Sequence, residues 1–186
     1  MKRAMDIAIA AVACMLLAVP ALLVALVVRI TSRGPALYWS ARVGRYGRSF
    51  SMPKFRTMRI DTPELSTDLL ENPKTYLTPV GGLLRKLSID EIPQLWSIIV
   101  GEMTLVGPRP ALHSQETLIR MRRQLNVDSL RPGLTGWAQV NGRDNVCDEE
   151  KARLDSDYLK RASLALDAKI IMLTAWKVLK RDDVSH

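Results

Sequence analysis

Histidine and cysteine are almost missing from this chain: His113, His186, Cys14 and Cys147 are all it has in 186 residues. Cys14 lies in an apolar run and Cys147 in a charged stretch. No cysteine or histidine spacing matches a metal site, so neither a zinc centre nor a disulfide framework is expected, and a reducing compartment is the default. Both histidines stand alone and Cys147 has no neighbouring base, which disfavours a hydrolase built on a nucleophile–histidine triad. Glycine-rich character is confined to Gly81-Gly82 and residues 133–142, with no Walker or dinucleotide fingerprint. Internal repeats and low-complexity segments are absent. Acidic residues are missing from one long stretch: residues 29–60 carry Arg29, Arg33, Arg42, Arg45, Arg48, Lys54, Arg56 and Arg59 and no acid, so nearly all of the net charge of +8 resides there. Aromatics are only 5% of the chain. The basic stretch therefore lacks stacking platforms, and no nucleic-acid-binding module is present, so nucleic acid is not an expected partner.

What is present begins with an uncharged run, Ile7 to Val28, long enough to cross a bilayer core as a helix. Lys2 and Arg3 precede it, and Arg29 and Arg33 follow, so the positive-inside tendency pulls both flanks toward the cytoplasm. Pro20 inside the run removes a helix hydrogen bond and favours a kink or break. Two topologies follow: an ordinary kinked span, which these residues alone favour because membrane helices tolerate proline, and a re-entrant helix that turns near Pro20. A cleaved signal is disfavoured by the Arg-rich sequence that follows. The basic stretch next to the membrane attracts anionic lipid head groups by about 1 kcal/mol per residue.

Beyond the run, the remaining residues suit one modest domain. Ser32-Arg33-Gly34-Pro35 is turn chemistry. Leu37 to Phe55, with Gly44 and Gly47, reads as a short hairpin, and Asp61 to Pro79 as a loop with at most a short helix. Within Leu83 to Val100, apolar residues at 92, 95, 96, 98 and 99 mark one helical face, with Pro93 in the first turn or at a kink. Residues 107–110 and 131–136 read as loops, and His113 to Leu125, Asp148 to Arg161 and Ala165 to Leu179 as helices. In the last of these, Ile170, Leu173, Trp176 and Lys177 suit either a bilayer interface or a core. That face is equally compatible with a homo-oligomer contact.

Chemistry concentrates at Ser88-Ile89-Asp90-Glu91-Ile92-Pro93. One reading is a capping box, Ser88 with Glu91, which leaves Asp90 unexplained. The other is catalytic: a carboxylate can attack phosphorus, and a second can hold Mg²⁺. Arg85 precedes the pair, Arg109 is framed by Pro108 and Pro110, and Lys54 and Arg56 lie in Lys-Phe-Arg-Thr-Met. Arginine's planar fork suits phosphate, although any one of these residues taken alone reads first as a solvated charge.

Taken in order, Lys2-Arg3-x-x-Asp6, Lys54-Phe55-Arg56-Thr57-Met58, Leu87 to Leu95, Val106-Gly107-Pro108-Arg109-Pro110, Arg131 to Arg143 and Leu166-Asp167-Ala168-Lys169-Ile170 resemble the bacterial sugar transferases. These are monotopic polyprenol-phosphate phosphoglycosyl transferases, and the likeness is to their minimal catalytic form. The resemblance implies a mainly α fold with a short β-hairpin: a re-entrant membrane helix with basic flanks (1–33), and a small cytoplasmic-face α/β catalytic domain with interfacial helices (34–186). It implies Mg²⁺-dependent transfer of a phospho-sugar from a UDP-sugar to undecaprenyl phosphate at the bacterial inner membrane, initiating a surface glycoconjugate. Asp90 would be the nucleophile and Glu91 its partner. Lys54, Arg56, Arg85, Arg109, Arg131 and Arg143 would meet phosphate or nucleotide, and Glu91 and Asp167 the metal. The family breaks its membrane helix at a Ser-Pro pair, where this chain has Val19-Pro20, and the match shifts the preferred topology to the re-entrant one. Rival functions are a non-catalytic membrane scaffold and a membrane-bound UDP-sugar phosphohydrolase.

Overall fold

The computed structural model describes residues 1–63, 72–142 and 146–180. Among these residues the fold is mainly helical, with two small two-stranded sheets. Helix α1, Lys2–Thr31, contains the apolar run. Pro20 lies inside it with helical residues on both sides, so its missing N–H removes one bond from the ladder without ending the helix. Ser32 adopts an extended conformation and closes the C-terminus, its N–H and hydroxyl both donating to the Val28 carbonyl.

The hairpin is present. Strands β1, Leu37–Val43, and β2, Ser49–Phe55, pair antiparallel with Leu37 opposite Phe55 and Val43 opposite Ser49. The alternation of a pleated strand places Tyr38, Ser40 and Arg42 on the same face as Phe50, Met52 and Lys54. Helix α2, Gly81–Lys86, is followed by a 3₁₀ turn, Ile89–Glu91, and helix α3, Gln94–Val100. Pro93 stands just outside α3 as its N-cap residue, where a missing N–H costs the helix nothing.

The segment 131–136, read as a loop, contains a strand, and a second strand that the sequence did not show directly precedes the 107–110 loop. β3, Thr104–Val106, and β4, Gly133–Thr135, pair in parallel. Three residues are too few to show a period, and the flanking prolines and glycines masked the rest. The glycines are needed here: a Cβ on Gly133 would collide with the Gly107 amide, and one on Gly136 with the Gly107 carbonyl. Helix α4, Glu116–Gln124, starts later than His113, because Gln115 instead closes a turn with Leu112 through both its N–H and its side chain. A short helix α5, Trp137–Asn141, directly follows β4. Helices α6, Asp148–Arg161, and α7, Leu164–Lys180, lie where the sequence places them, within a residue at each end.

One core joins these elements. Met52, Leu95, Ile98, Met103, Leu105, Val106, Val140, Tyr158 and Ile170 are buried together, and Ala10 of α1 belongs to the same cluster. In α7 the ambiguous face divides: Ile170 is fully buried with Leu173 packed against the core, while Trp176 is exposed with the Lys180 ammonium 4.9 Å above its ring. A second, smaller cluster of Ala111, Leu118 and Ala152 packs α4 against α6.

Candidate active site

The carboxylate pair sits on the tight turn between α2 and α3. Ser88, which opens the turn, is in the left-handed region at φ 53° and makes no side-chain cap. The capping-box expectation is therefore corrected: Ser88 caps nothing, and the Glu91 side chain meets Gln94 and cations from other elements. Lys54, reaching across from β2, places Nζ 2.8 Å from Glu91 Oε1 and 3.8 Å from Asp90 Oδ2. Arg109 Nη2 reaches the same Glu91 oxygen at 3.3 Å. Asp90 is buried, at 7% exposure. Arg85 on α2 donates from Nε to Thr57 Oγ1 at 2.9 Å. Burial lowers its guanidinium pKa, and the Asp90 charge opposes that fall.

These contacts set the charge state of Glu91. Burial by itself would push the carboxyl up, but the Lys54 ammonium and the Arg109 guanidinium outweigh it, and the pKa falls to about 2. Glu91 is thus held ionised at neutral pH. The turn carries two adjacent carboxylates ringed by Lys54, Arg85 and Arg109, an arrangement suited to a phosphate-bearing substrate.

The remaining sequence candidates lie elsewhere. Arg56, buried at the end of β2, donates from Nη2 to the Ser32 carbonyl and hydroxyl at 2.9 and 2.7 Å, tying the end of α1 to the domain. Arg131 donates to the Gly101 carbonyl at 3.0 Å, beside the C-terminus of α3. There Arg3 also caps the carbonyls of Ile98 and Ile99 at 2.6 and 3.1 Å. Asp167, at the start of α7, accepts from Lys2 Nζ at 2.6 Å and from Tyr158 Oη at 2.6 Å. Burial, that hydrogen bond and the charges of Asp167 and Asp6 all raise the Tyr158 pKa. Buried Asp6 in turn accepts from Thr104 Oγ1. The contacts of Asp167 are thus with the start of α1 and with α6, while those of Glu91 are with β2 and the Arg109 loop. Arg143 lies outside the described residues.

Two further arginines belong to this picture. Arg42 on β1 donates to Ser40 Oγ at 2.9 Å and to the Pro110 carbonyl at 3.3 Å. Its pKa is lowered to about 10 by burial and by Arg109, against the opposing charge of Glu91. The period of two within the hairpin was a signal for it, because it places Arg42 on the face of Lys54. Arg122 on α4 donates to the Arg109 carbonyl at 2.8 Å. It reads in the sequence as one more charge on a polar helix, with no local signal.

A divalent cation would find a limited donor set. Among the described residues no three histidine, cysteine, aspartate or glutamate side chains converge as a metal site. Two adjacent carboxylates nevertheless fit Mg²⁺, which binds through one or two carboxylates plus substrate phosphate and keeps several waters.

Comparison with known proteins places the chain in a family. The family model described as "Bacterial sugar transferase" matches residues 1–181. The uncharacterized sugar transferase EpsL of Bacillus subtilis is 41% identical over 160 residues, covering 86% of this chain and 78% of that protein. The exopolysaccharide production protein ExoY of Rhizobium meliloti is 36% identical over 188 residues, 93% of this chain and 83% of its own length. The undecaprenyl-phosphate glucose phosphotransferase of Komagataeibacter xylinus is 38% identical over 188 residues, and the match spans 93% of this chain but only 35% of that longer protein.

Proposed function

The chain belongs to the bacterial sugar transferase family, and from that premise we propose that it moves a phospho-sugar from a UDP-sugar to undecaprenyl phosphate. The observation that carries the reading is the turn at Asp90-Glu91, where a buried carboxylate and an ionised one face Lys54, Arg85 and Arg109. Names borne by relatives support the substrates: one is an undecaprenyl-phosphate glucose phosphotransferase, and another, 32% identical, is the UDP-glucose:undecaprenyl-phosphate glucose-1-phosphate transferase of Escherichia coli.

In the first half-reaction an Asp90 oxygen attacks the sugar-linked phosphorus, and the bond to the bridging oxygen breaks, so that UMP leaves with the electron pair. An aspartyl phospho-sugar remains. In the second, a phosphate oxygen of undecaprenyl phosphate attacks the same phosphorus. The acyl-phosphate bond breaks, Asp90 regains its carboxylate, and undecaprenyl-diphosphate sugar forms. Donor and acceptor need not occupy the site together, which suits one soluble and one lipid-borne substrate and gives ping-pong kinetics. Lys54 and Arg109 offset the negative charge gathered around the phosphorus, while Arg85 keeps a cation beside Asp90. With its pKa near 2, Glu91 is suited to hold charge and orient Lys54 and Arg109, and ill-suited to donate a proton at neutral pH. Asp90 and Glu91 would hold Mg²⁺, which when bound neutralises diphosphate charge.

A re-entrant α1 and a cytoplasmic-face position at the inner membrane are part of the same proposal. What supports them is that the domain holds both ends of α1, through Asp167 and the α3 carbonyls at one end and Arg56 at the other.

Incubating the full chain with Mg²⁺ and labelled UDP-sugars, with and without undecaprenyl phosphate, tests the reading. Label should enter lipid only when acceptor is present, and acceptor-free enzyme should carry covalent label that Asp90→Asn abolishes. Free sugar phosphate would instead mark a hydrolase, and an Asp90→Asn variant with normal turnover would rule Asp90 out as nucleophile.

A further inference from the structure

We propose that Arg122 and Asp155 form a buried clamp that positions Arg109 against Glu91. The inference rests on the functional reading above for the importance of Arg109.

The clamp spans three elements. Arg122 Nε and Nη2 donate to Asp155 Oδ2 on α6 at 2.9 and 2.6 Å, and its Nη1 donates to the Arg109 carbonyl at 2.8 Å. The side chains of the pair are 11% and 2% exposed. A buried ion pair is a costly way to join two helices, since apolar side chains of similar volume often do as well or better. Here α4 and α6 already share the apolar contact of Ala111, Leu118 and Ala152. What the guanidinium adds is a fork of fixed geometry: its edge is locked on a carboxylate, and the remaining nitrogen is aimed at one backbone oxygen.

That oxygen belongs to the residue whose side chain reaches Glu91. The Arg109 side chain is 52% exposed, and the backbone it springs from is firmly placed. Prolines at 108 and 110 fix φ on both sides, Arg122 holds the carbonyl of residue 109, and Arg42 holds that of residue 110 at 3.3 Å. Gly133 N–H donates to the Pro108 carbonyl at 2.8 Å, so three consecutive carbonyls are restrained. With the root fixed, the guanidinium needs to order only its own side chain to meet Glu91. Loss of the clamp releases the root. A misplacement of about 1 Å at a reacting centre costs up to about 100-fold in rate.

The test is a double-mutant cycle on the full chain in membranes, reading UMP release with undecaprenyl phosphate and the best donor of a UDP-sugar panel. It is paired with hydrogen exchange at the Gly107 and Arg109 amides. Arg122→Lys keeps the charge beside Asp155 but has no fork to reach the carbonyl. It should lower kcat about 10- to 100-fold with the KM for undecaprenyl phosphate unchanged, and should speed exchange at those two amides. In an Arg109→Ala background the same change should have no further effect on kcat. Equal losses in both backgrounds, or loop exchange at the wild-type rate, overturn the clamp. If Arg122→Lys does not fold, Asp155→Asn, which keeps an acceptor oxygen, takes its place in the cycle with the same expected and opposing results. Faster loop exchange in a protein whose wild type transfers no UDP-sugar would uphold the clamp and overturn the functional reading instead.

Discussion

Glu91 connects the chemistry of the turn to the stability of the fold. Its carboxyl titrates near 2 in the folded chain against about 4.5 when free, so the folded state favours its ionised form. A depressed carboxylate adds stability that is complete above the unfolded pKa and is lost as pH falls through the folded one. The window therefore runs from about pH 4.5 down to 2, and the shift corresponds to about 3 kcal/mol at its largest. Glu91→Gln should remove that part of the acid dependence and flatten the stability profile across this range. Chemical denaturation measured at intervals from pH 6 to 2.5 checks it, and parallel profiles for the two proteins would show that the ion pairs with Lys54 and Arg109 add nothing. At this scale the sequence exposed Asp90, Glu91, Lys54, Arg85 and Arg109, because each stands in a short distinctive string. It did not reveal that Arg56 and Arg131 bind backbone carbonyls at element ends, since a guanidinium suits an orphan carbonyl as well as it suits phosphate.

The loop carrying Arg109 gains its rigidity from the β3–β4 pair behind it, and that pair depends on backbone close approach. Gly133→Ala would drive a methyl into the Gly107 amide. Backbone has no rotamer with which to yield, so the cost should be at least the 1–3 kcal/mol typical of overpacking. Gly82, within α2, is the contrasting case: the nearest atom to an added Cβ is Leu77 Cδ1 at 3.8 Å, an ordinary contact. Gly82→Ala should stabilise by up to about 1 kcal/mol through the lower entropy of the unfolded chain. Thermal melts of the two variants should move in opposite directions. Long elements with their own period, namely α1, the hairpin, α6 and α7, were legible in the sequence. β3 and β4 were not, because a three-residue strand is specified by its partner across the chain and not by its own pattern. The capping-box reading failed for a related reason: Ser88-x-x-Glu91 has the right spacing, but Lys54 and Arg109 arrive from distant segments and claim the glutamate.

At the scale of the whole molecule, α1 poses a geometric problem. Thirty helical residues would measure about 45 Å if straight, well beyond a hydrocarbon core of about 30 Å. A span would separate its two anchor sets by at least that core. Yet Lys2 and Arg3 bind Asp167 and the end of α3, while Arg56 binds Ser32, and the two sets are linked through one small domain. Arg56 lies two residues beyond Lys54, Lys54 pairs with Glu91, and Glu91 leads directly into α3. Placing the anchors on opposite sides of a bilayer would drag these charged groups through lipid or tear the contacts apart, each at several kcal/mol. A bend in α1 near Pro20, where the ladder already lacks a bond, would keep both anchor sets and would leave the exposed Leu16, Val19, Leu22 and Leu23 as the part to enter lipid. Single cysteines test this directly in a background with Cys14→Ala and Cys147→Ser. Ala4→Cys and Arg33→Cys, at exposed positions before and after the apolar run, should both react with an impermeant maleimide in inverted inner-membrane vesicles, and neither in intact spheroplasts. Labelling of the two positions from opposite sides would establish a span, and would require the domain to release one of the two anchor sets that hold α1.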